Sequence, residues 1–166
     1  MDNDGVGLTD CLGEFYTGFI SRGRNGQFFT PMHVCDAMAA MLLNKDDTDK
    51  TILDPCCGSG RMLLSAAKIS RNNYFYGADI DPRCTKMTAI NLCLNGLQGE
   101  VAWMDTLGGE HWGGYSIGRA YGLVPVITKV PANEGIIFNS APYYGNREVH
   151  SIQPKAITIS QPKLDL

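Results

Sequence analysis

Between residues 51 and 104 the chain alternates short apolar segments with helical ones, and that order leaves few folds open. TILD runs into a glycine turn, RMLLSAAKIS reads as a helix, YFYGAD as a strand, PRCTKMTAINLCLNG as a helix and EVAWMD as a third strand. Short apolar runs of this kind predict strands covered on both faces. Strand, helix, strand, helix, strand then predicts right-handed crossovers and a parallel sheet, an α/β architecture. A length of 166 residues, 44% hydrophobic and 19% charged, suits one globular domain.

The flanks read differently. Leu8, Cys11, Leu12, Phe15, Tyr16 and Phe19 recur three and four apart, which predicts a helix over residues 7–19. SRGRNGQFF breaks that period. Thr30 and Pro31 then predict an N-cap and first-turn pair, with Val34, Cys35, Met38, Met41 and Leu42 as the apolar face of a helix to about residue 43. Residues 108–133 carry glycines, Trp112 and Tyr115 without clear periodicity and predict a long insertion or loop. GIIFN is a candidate fourth strand, and the Pro-containing segments after it predict at most one more. The organisation expected is N-terminal helices over 1–50, an α/β domain over 51–146 and an irregular tail over 147–166.

The chemistry gathers at Asp54-Pro55-Cys56-Cys57-Gly58-Ser59-Gly60, between a strand and a helix. Glycines at 58 and 60 let the chain turn tightly and bring backbone N–H groups and a helix N-terminus against a ligand. Both the GxxxxGK[ST] phosphate loop and the GxGxxG dinucleotide spacing are missing, so neither an ATPase site nor a dinucleotide site is predicted. Asp79 ends the next strand 19 residues after Gly60, where a carboxylate accepts from both hydroxyls of a ribose. Asp81 precedes Pro82 and is read as the cap of the following helix. Asp105, in WMDTL, falls at the carboxyl edge of the same sheet; it suits an adenine contact or a plain turn-forming Asp.

GQFFTP (26–31), DPCCGSGRML (54–63), GADIDPRCTKMTAINLCLNG (77–96) and MDTL (104–107) together resemble the ordered motifs of the N6-adenine DNA methyltransferases, above all the modification subunits of type I restriction-modification systems. The resemblance covers about residues 24–107. It implies a class I methyltransferase fold, Rossmann-like, and S-adenosylmethionine as cofactor. By position, Phe29, Thr30 and Pro31 would border the methionine end. Asp54 and the Gly58–Gly60 turn would hold the amino-acid portion, Asp79 would take the ribose and Asp105 would approach the adenine, with Cys57 and Ile80 as further cofactor-binding residues. A free helix start favours the methionine carboxylate, while its ammonium needs a carboxylate such as Asp54.

The catalytic segment departs from the family pattern. Members carry Asn or Asp, then Pro-Pro, then Tyr or Phe: carbonyls accept the hydrogens of the attacking amine, and the ring stacks on a flipped base. This chain has Phe138-Asn139-Ser140-Ala141-Pro142-Tyr143-Tyr144-Gly145. Aligned on Gly145, Ala141 replaces the catalytic amide and Tyr144 is the stacking ring, which predicts cofactor binding without transfer. Aligned on the strand end, Asn139 supplies the amide and Ser140-Ala141 alters the turn, which predicts a weak or altered enzyme; Asn139, Pro142, Tyr143 and Tyr144 are the catalytic candidates. A full class I domain has seven strands, of which this sequence offers four at most, so the fold is expected to be incomplete, a cofactor-binding front half.

Composition narrows the partners. The net charge of −3 argues against a polycation that coats nucleic acid by charge alone. Residues 1–20 hold Asp2, Asp4, Asp10 and Glu14 without a Lys or Arg, whereas residues 111–166 hold Arg119, Lys129, Arg147, Lys155 and Lys163 against three acidic residues. Arg22 and Arg24 could touch a phosphate backbone or simply be solvated. Cys11, Cys35, Cys56, Cys57, Cys84 and Cys93 form no CxxC pair and are read as reduced core thiols, with no metal site. No apolar run reaches membrane-spanning length and MDNDGVGLTD is not a signal peptide, so a cytoplasmic protein is expected. The resemblance implies double-stranded DNA as substrate and a sequence-recognition subunit or a second copy as partner. The alternatives are a non-catalytic cofactor- or DNA-binding module, and a methyltransferase acting on RNA or on a protein glutamine.

Overall fold

The structure is a computed structural model and describes residues 7–21, 29–132 and 134–135. Five strands form one sheet in the order β1-β2-β3-β4-β5: β1 Thr51–Asp54, β2 Tyr74–Asp79, β3 Gln98–Met104, β4 His111–Ala120 and β5 Val124–Val130. β1, β2 and β3 are parallel, Thr51 lying opposite Tyr74 and Tyr74 opposite Gln98. Their connections are α3 (Arg61–Ile69) and α4 (Pro82–Leu94). This is the strand-and-helix alternation expected from the sequence.

Side chains alternate across a strand, so each face of β2 and β3 feeds a different cluster. Phe75 and Val101 join Leu63, Leu64, Ala67 and Leu92 beneath the two helices, all of them buried. Burial of one such side chain is worth about 1.5–3 kcal/mol. Tyr76, Ala78, Ala102 and Met104 form a smaller buried cluster on the opposite face. β1 lies at the edge of the described sheet and is less covered than its apolar sequence predicts, Leu53 being 54% exposed.

Residues 108–133 overturn the expected loop. They hold β4 and β5, an antiparallel hairpin laid against β3, with Gly99 opposite Ile117 and Ile117 opposite Ile127. The hairpin turns at Tyr121 and Gly122, both at positive φ, the backbone of a type I′ turn. Glycines at 113, 114 and 118 interrupt the apolar alternation of β4, which is why periodicity missed the strand.

The N-terminal helices also differ in detail. α1 (Cys11–Phe15) is capped by Asp10 and continues as a π-helical turn over Tyr16–Ser21. In α2 (Met32–Leu42) the cap position is Pro31, without any side-chain cap bond, so Thr30 is not the N-cap. The buried face of α2 is Cys35 and Ala39, whereas Met41 is 85% exposed and Leu42 is also exposed. α2 packs on α3, where Asp36 accepts from Ser65 Oγ at 2.6 Å and from Lys68 Nζ at 2.8 Å. GIIFN beyond Gly135 lies outside the described residues. Among the described residues no helix is long and apolar enough to cross a membrane.

Candidate functional site at the carboxyl edge of the sheet

The parallel strands deliver their carboxyl ends to one edge, where the loops after β1, β2 and β3 meet. The glycine turn is fastened there from several sides. Cys57 N donates to the Ala78 carbonyl at 2.9 Å, which ties the turn to β2. Gly58, at φ +55°, donates its N–H to Asp79 Oδ2 at 2.9 Å. A Cβ on Gly58 would lie 2.9 Å from the Phe29 ring, so only glycine fits this approach. From α4, Thr88 Oγ1 donates to the Gly58 carbonyl at 2.9 Å and Asn91 Nδ2 to the Ser59 carbonyl at 2.8 Å. Gly60 then caps α3.

Two carboxylates flank the turn. Asp79 uses one oxygen for Gly58 and the other for Asp81 N at 2.8 Å. A carboxylate has about four acceptor positions, so capacity remains for a ligand's hydroxyls. Asp54 accepts from Cys56 N at 3.1 Å. Burial raises the pKa of both groups, and the charge of Asp79 pushes Asp54 further up. Two partly buried acids held close together favour a cation between or beside them. Asp81 caps α4 by accepting from Arg83 N at 2.8 Å and is braced by the Arg83 guanidinium.

Among the described residues, two cavities open on this edge. One, of about 400 Å³, is lined by Phe29, Asp79, Ile80, Cys84, Asp105 and Leu107 among others. The second, of about 260 Å³, is lined by Thr30, Met38, Asp54, Cys57, Arg61 and Met62 among others. Phe29, Cys56 and Gly58 line both. Asp105 spends Oδ1 on Leu107 N and Gly108 N, each at 3.0 Å, so it closes its own turn as well as lining the larger cavity. Pro31 and Gly60 are not among the lining residues; they set the backbone on either side. Asn139, Pro142, Tyr143 and Tyr144, together with Arg22 and Arg24, lie outside the described residues.

Sequence reasoning missed several participants. Cys56 was expected in the core but is exposed at the mouth of both cavities. Cys84 lines the larger cavity, and burial with the neighbouring Asp79 and Asp81 charges pushes its thiol up to about 12. Asp10, counted only in the acidic balance of residues 1–20, is fully buried. It accepts from Gly13 N, Asn91 Nδ2, Arg61 Nε and Ser59 Oγ, and so joins α1, α3, α4 and the glycine turn. Its place directly before a helical period is an N-cap signal that could have marked it.

The sequence is similar to known proteins of one family. The sequence model of the family described as N-6 DNA Methylase matches residues 8–143. The type II restriction enzyme and methyltransferase RM.BcgI of Heyndrickxia coagulans is 31% identical over 106 residues, 52% of this chain and 16% of that protein. The type I restriction enzyme MjaIX methylase subunit of Methanocaldococcus jannaschii is 30% identical over 107 residues, 57% of this chain and 19% of the relative. A crystal structure of a type I restriction-modification methyltransferase subunit from Streptococcus thermophilus aligns with a TM-score of 0.48 at 26% identity, covering 64% of this chain and 25% of that one. The chain therefore spans about a fifth of the length of such relatives. On the match over residues 8–143, it belongs to the N-6 DNA methylase family of restriction-modification systems.

Proposed function

We propose that this chain binds S-adenosylmethionine at the carboxyl edge of its parallel strands and serves adenine-N6 methylation of double-stranded DNA. The observation that carries the reading is the pair of cavities meeting at Phe29, Cys56 and Gly58, with Asp79 lining one and Asp54 the other. The fit is chemical as well as spatial. A sulfonium cofactor is a cation with an ammonium at one end and a ribose at the other, and two partly buried carboxylates suit that charge and those hydroxyls. The missing Cβ at residue 58 lets the Phe29 ring close on the turn, and both residues line the two cavities.

The residues divide by chemistry. Asp54 would hold the ammonium, Asp79 the ribose hydroxyls, Ile80 and Leu107 the apolar faces of the adenine and Asp105 its polar edge, with Phe29, Thr30 and Pro31 bordering the methionine end. When bound, the cofactor supplies an electrophilic methyl group. Asn139 would accept hydrogen bonds from the attacking amine, with Pro142 setting the turn and Tyr143 and Tyr144 offering rings to a flipped base. Work on DNA would place the protein in the cytoplasm with a sequence-recognition subunit or a second copy as partner.

Calorimetric titration with S-adenosylmethionine tests the reading. Asp79→Ala is expected to weaken binding about 10- to 100-fold, the equivalent of about 1.5–3 kcal/mol for hydrogen bonds to a charged group. Binding unaffected by that change would overturn the assignment. The Ser140-Ala141 departure favours a second reading, a cofactor- or DNA-binding module without transfer. Tritiated methyl transfer to adenine-containing DNA separates the two: transfer that disappears in Asn139→Ala establishes the enzyme.

A further inference from the structure

Among the described residues Arg61 is the one cation that lines the smaller cavity, and nothing in the motif pattern assigns it a role. It is the first residue of α3, and its side chain is 13% exposed. Nε donates to the fully buried Asp10 at 2.6 Å, Nη1 donates to the Thr30 carbonyl at 3.3 Å, and the guanidinium sits 5.7 Å from the centre of the Phe29 ring. These contacts fix the plane of the group. A guanidinium has five N–H donors, and the described residues accept from two of them.

Asp10 has its own acceptor positions occupied by Gly13 N, Ser59 Oγ, Asn91 Nδ2 and Arg61 Nε. It cannot turn to follow another donor, so it acts as a rigid brace. A Cβ on Gly13 would strike both Asp10 and Ser59, which shows how tightly the brace closes over α1. Asp54 lines the same cavity, while Met38 and Met62 supply apolar wall. A cavity with a braced guanidinium, a carboxylate and thioether walls matches an α-amino acid carried on a short aliphatic chain.

We propose that Arg61 binds the α-carboxylate of the cofactor's amino-acid end, and that Asp10 is the positioning residue that aims it. The inference rests on the cofactor reading above. It moves the carboxylate from the bare helix start to a side chain there, where the guanidinium fork and the N-terminus of α3 act on the same anion.

The test compares two ligands on the 166-residue chain by calorimetry: S-adenosylmethionine, and its decarboxylated form, which keeps the ammonium, sulfonium and nucleoside. The wild type is expected to prefer the carboxylate-bearing ligand by about 10- to 100-fold, as for a charge-assisted bidentate contact. Arg61→Gln should lose that preference by weakening only S-adenosylmethionine. Should that variant not fold, the ratio measured on Arg61→Lys decides, because a lysine keeps the charge without the fork and should retain part of the preference. Equal affinity of the wild type for both ligands, or parallel loss of both in Arg61→Gln, overturns the carboxylate assignment while leaving the cofactor reading in place. Failure of the wild type to bind either ligand overturns the cofactor reading and this inference with it.

Discussion

The parallel strands of residues 51–104 and the hairpin of residues 111–130 share one sheet but are held in different ways. β2 and β3 bury side chains on both faces, with Phe75 and Val101 on the helix side and Tyr76, Ala78 and Ala102 on the other. β5, by contrast, leaves Val124 and Ile127 exposed, and the turn before it exposes Tyr121 and Leu123. Connections differ too. Crossovers through α3 and α4 return the chain to the same edge each time, so three loops converge there and form a site. The three-residue hairpin connection, residues 121–123, brings no loop to that edge. The hairpin reaches the site indirectly: the Trp112 ring packs 5.3 Å from Trp103, whose indole N–H donates to the Ile80 carbonyl at 3.1 Å.

The sharpest way to break this contrast is to cut into the parallel core. Phe75 is fully buried beneath α3 and α4, and its removal leaves a cavity that close-packed neighbours fill only in part. Phe75→Ala is expected to cost about 3–5 kcal/mol in urea denaturation. A loss below 1 kcal/mol would mean that the parallel strands are no better packed than the hairpin.

A smaller effect, of opposite sign, is expected at the site itself. Burial raises the pKa of Asp54, so the folded chain holds that proton more tightly than the unfolded chain does. The group therefore supports folding below its unfolded pKa, and that support is lost as pH rises through the raised folded value. At pH 7 it is charged, partly buried and unfavourable. Asp54→Asn keeps an acceptor for Cys56 N and removes the charge. Thermal unfolding of the ligand-free chain at pH 7 should show the variant more stable, within the roughly 0.5–2 kcal/mol usual when a functional group is relieved. The gain should shrink as the pH falls and the wild-type carboxyl becomes neutral. A variant less stable at pH 7 would refute the idea that this edge of the sheet gives up stability to hold a cation.

The same contrast explains what the sequence disclosed. TILD, YFYGAD and the two helices between strands were legible because each is short, apolar and bounded by turn residues, and Asp81-Pro82 announced its cap by local chemistry. The hairpin was not legible: glycines at 113, 114 and 118 dilute the alternation of β4, and Pro125 interrupts the apolar run of β5. Thr30 misled because a threonine before a proline satisfies the cap pattern, while here its carbonyl is turned to Arg61 and Cys35 instead. Asp10 and Arg61 are 51 residues apart, and no local pattern joins a charge in an acidic N-terminus to the first residue of a helix. Only the fold brings them into contact.

The smallest effect belongs to the hairpin and tests the contrast from its weak side. Ile127 lies opposite the buried Ile117 on β4 but is itself 39% exposed. Truncation removes one cross-strand contact and some partly covered apolar surface, without a closed cavity. Ile127→Ala is therefore expected to cost about 1 kcal/mol or less in the denaturation assay used for Phe75→Ala, and to leave S-adenosylmethionine affinity at the wild-type value. A cost near that of Phe75→Ala would mean that β5 is covered in solution by another chain or segment. A change in cofactor affinity with unchanged stability would instead show that the Trp112–Trp103–Ile80 contacts couple the hairpin to the site. The two outcomes separate cleanly, because a covering partner makes stability depend on protein concentration and the tryptophan route does not.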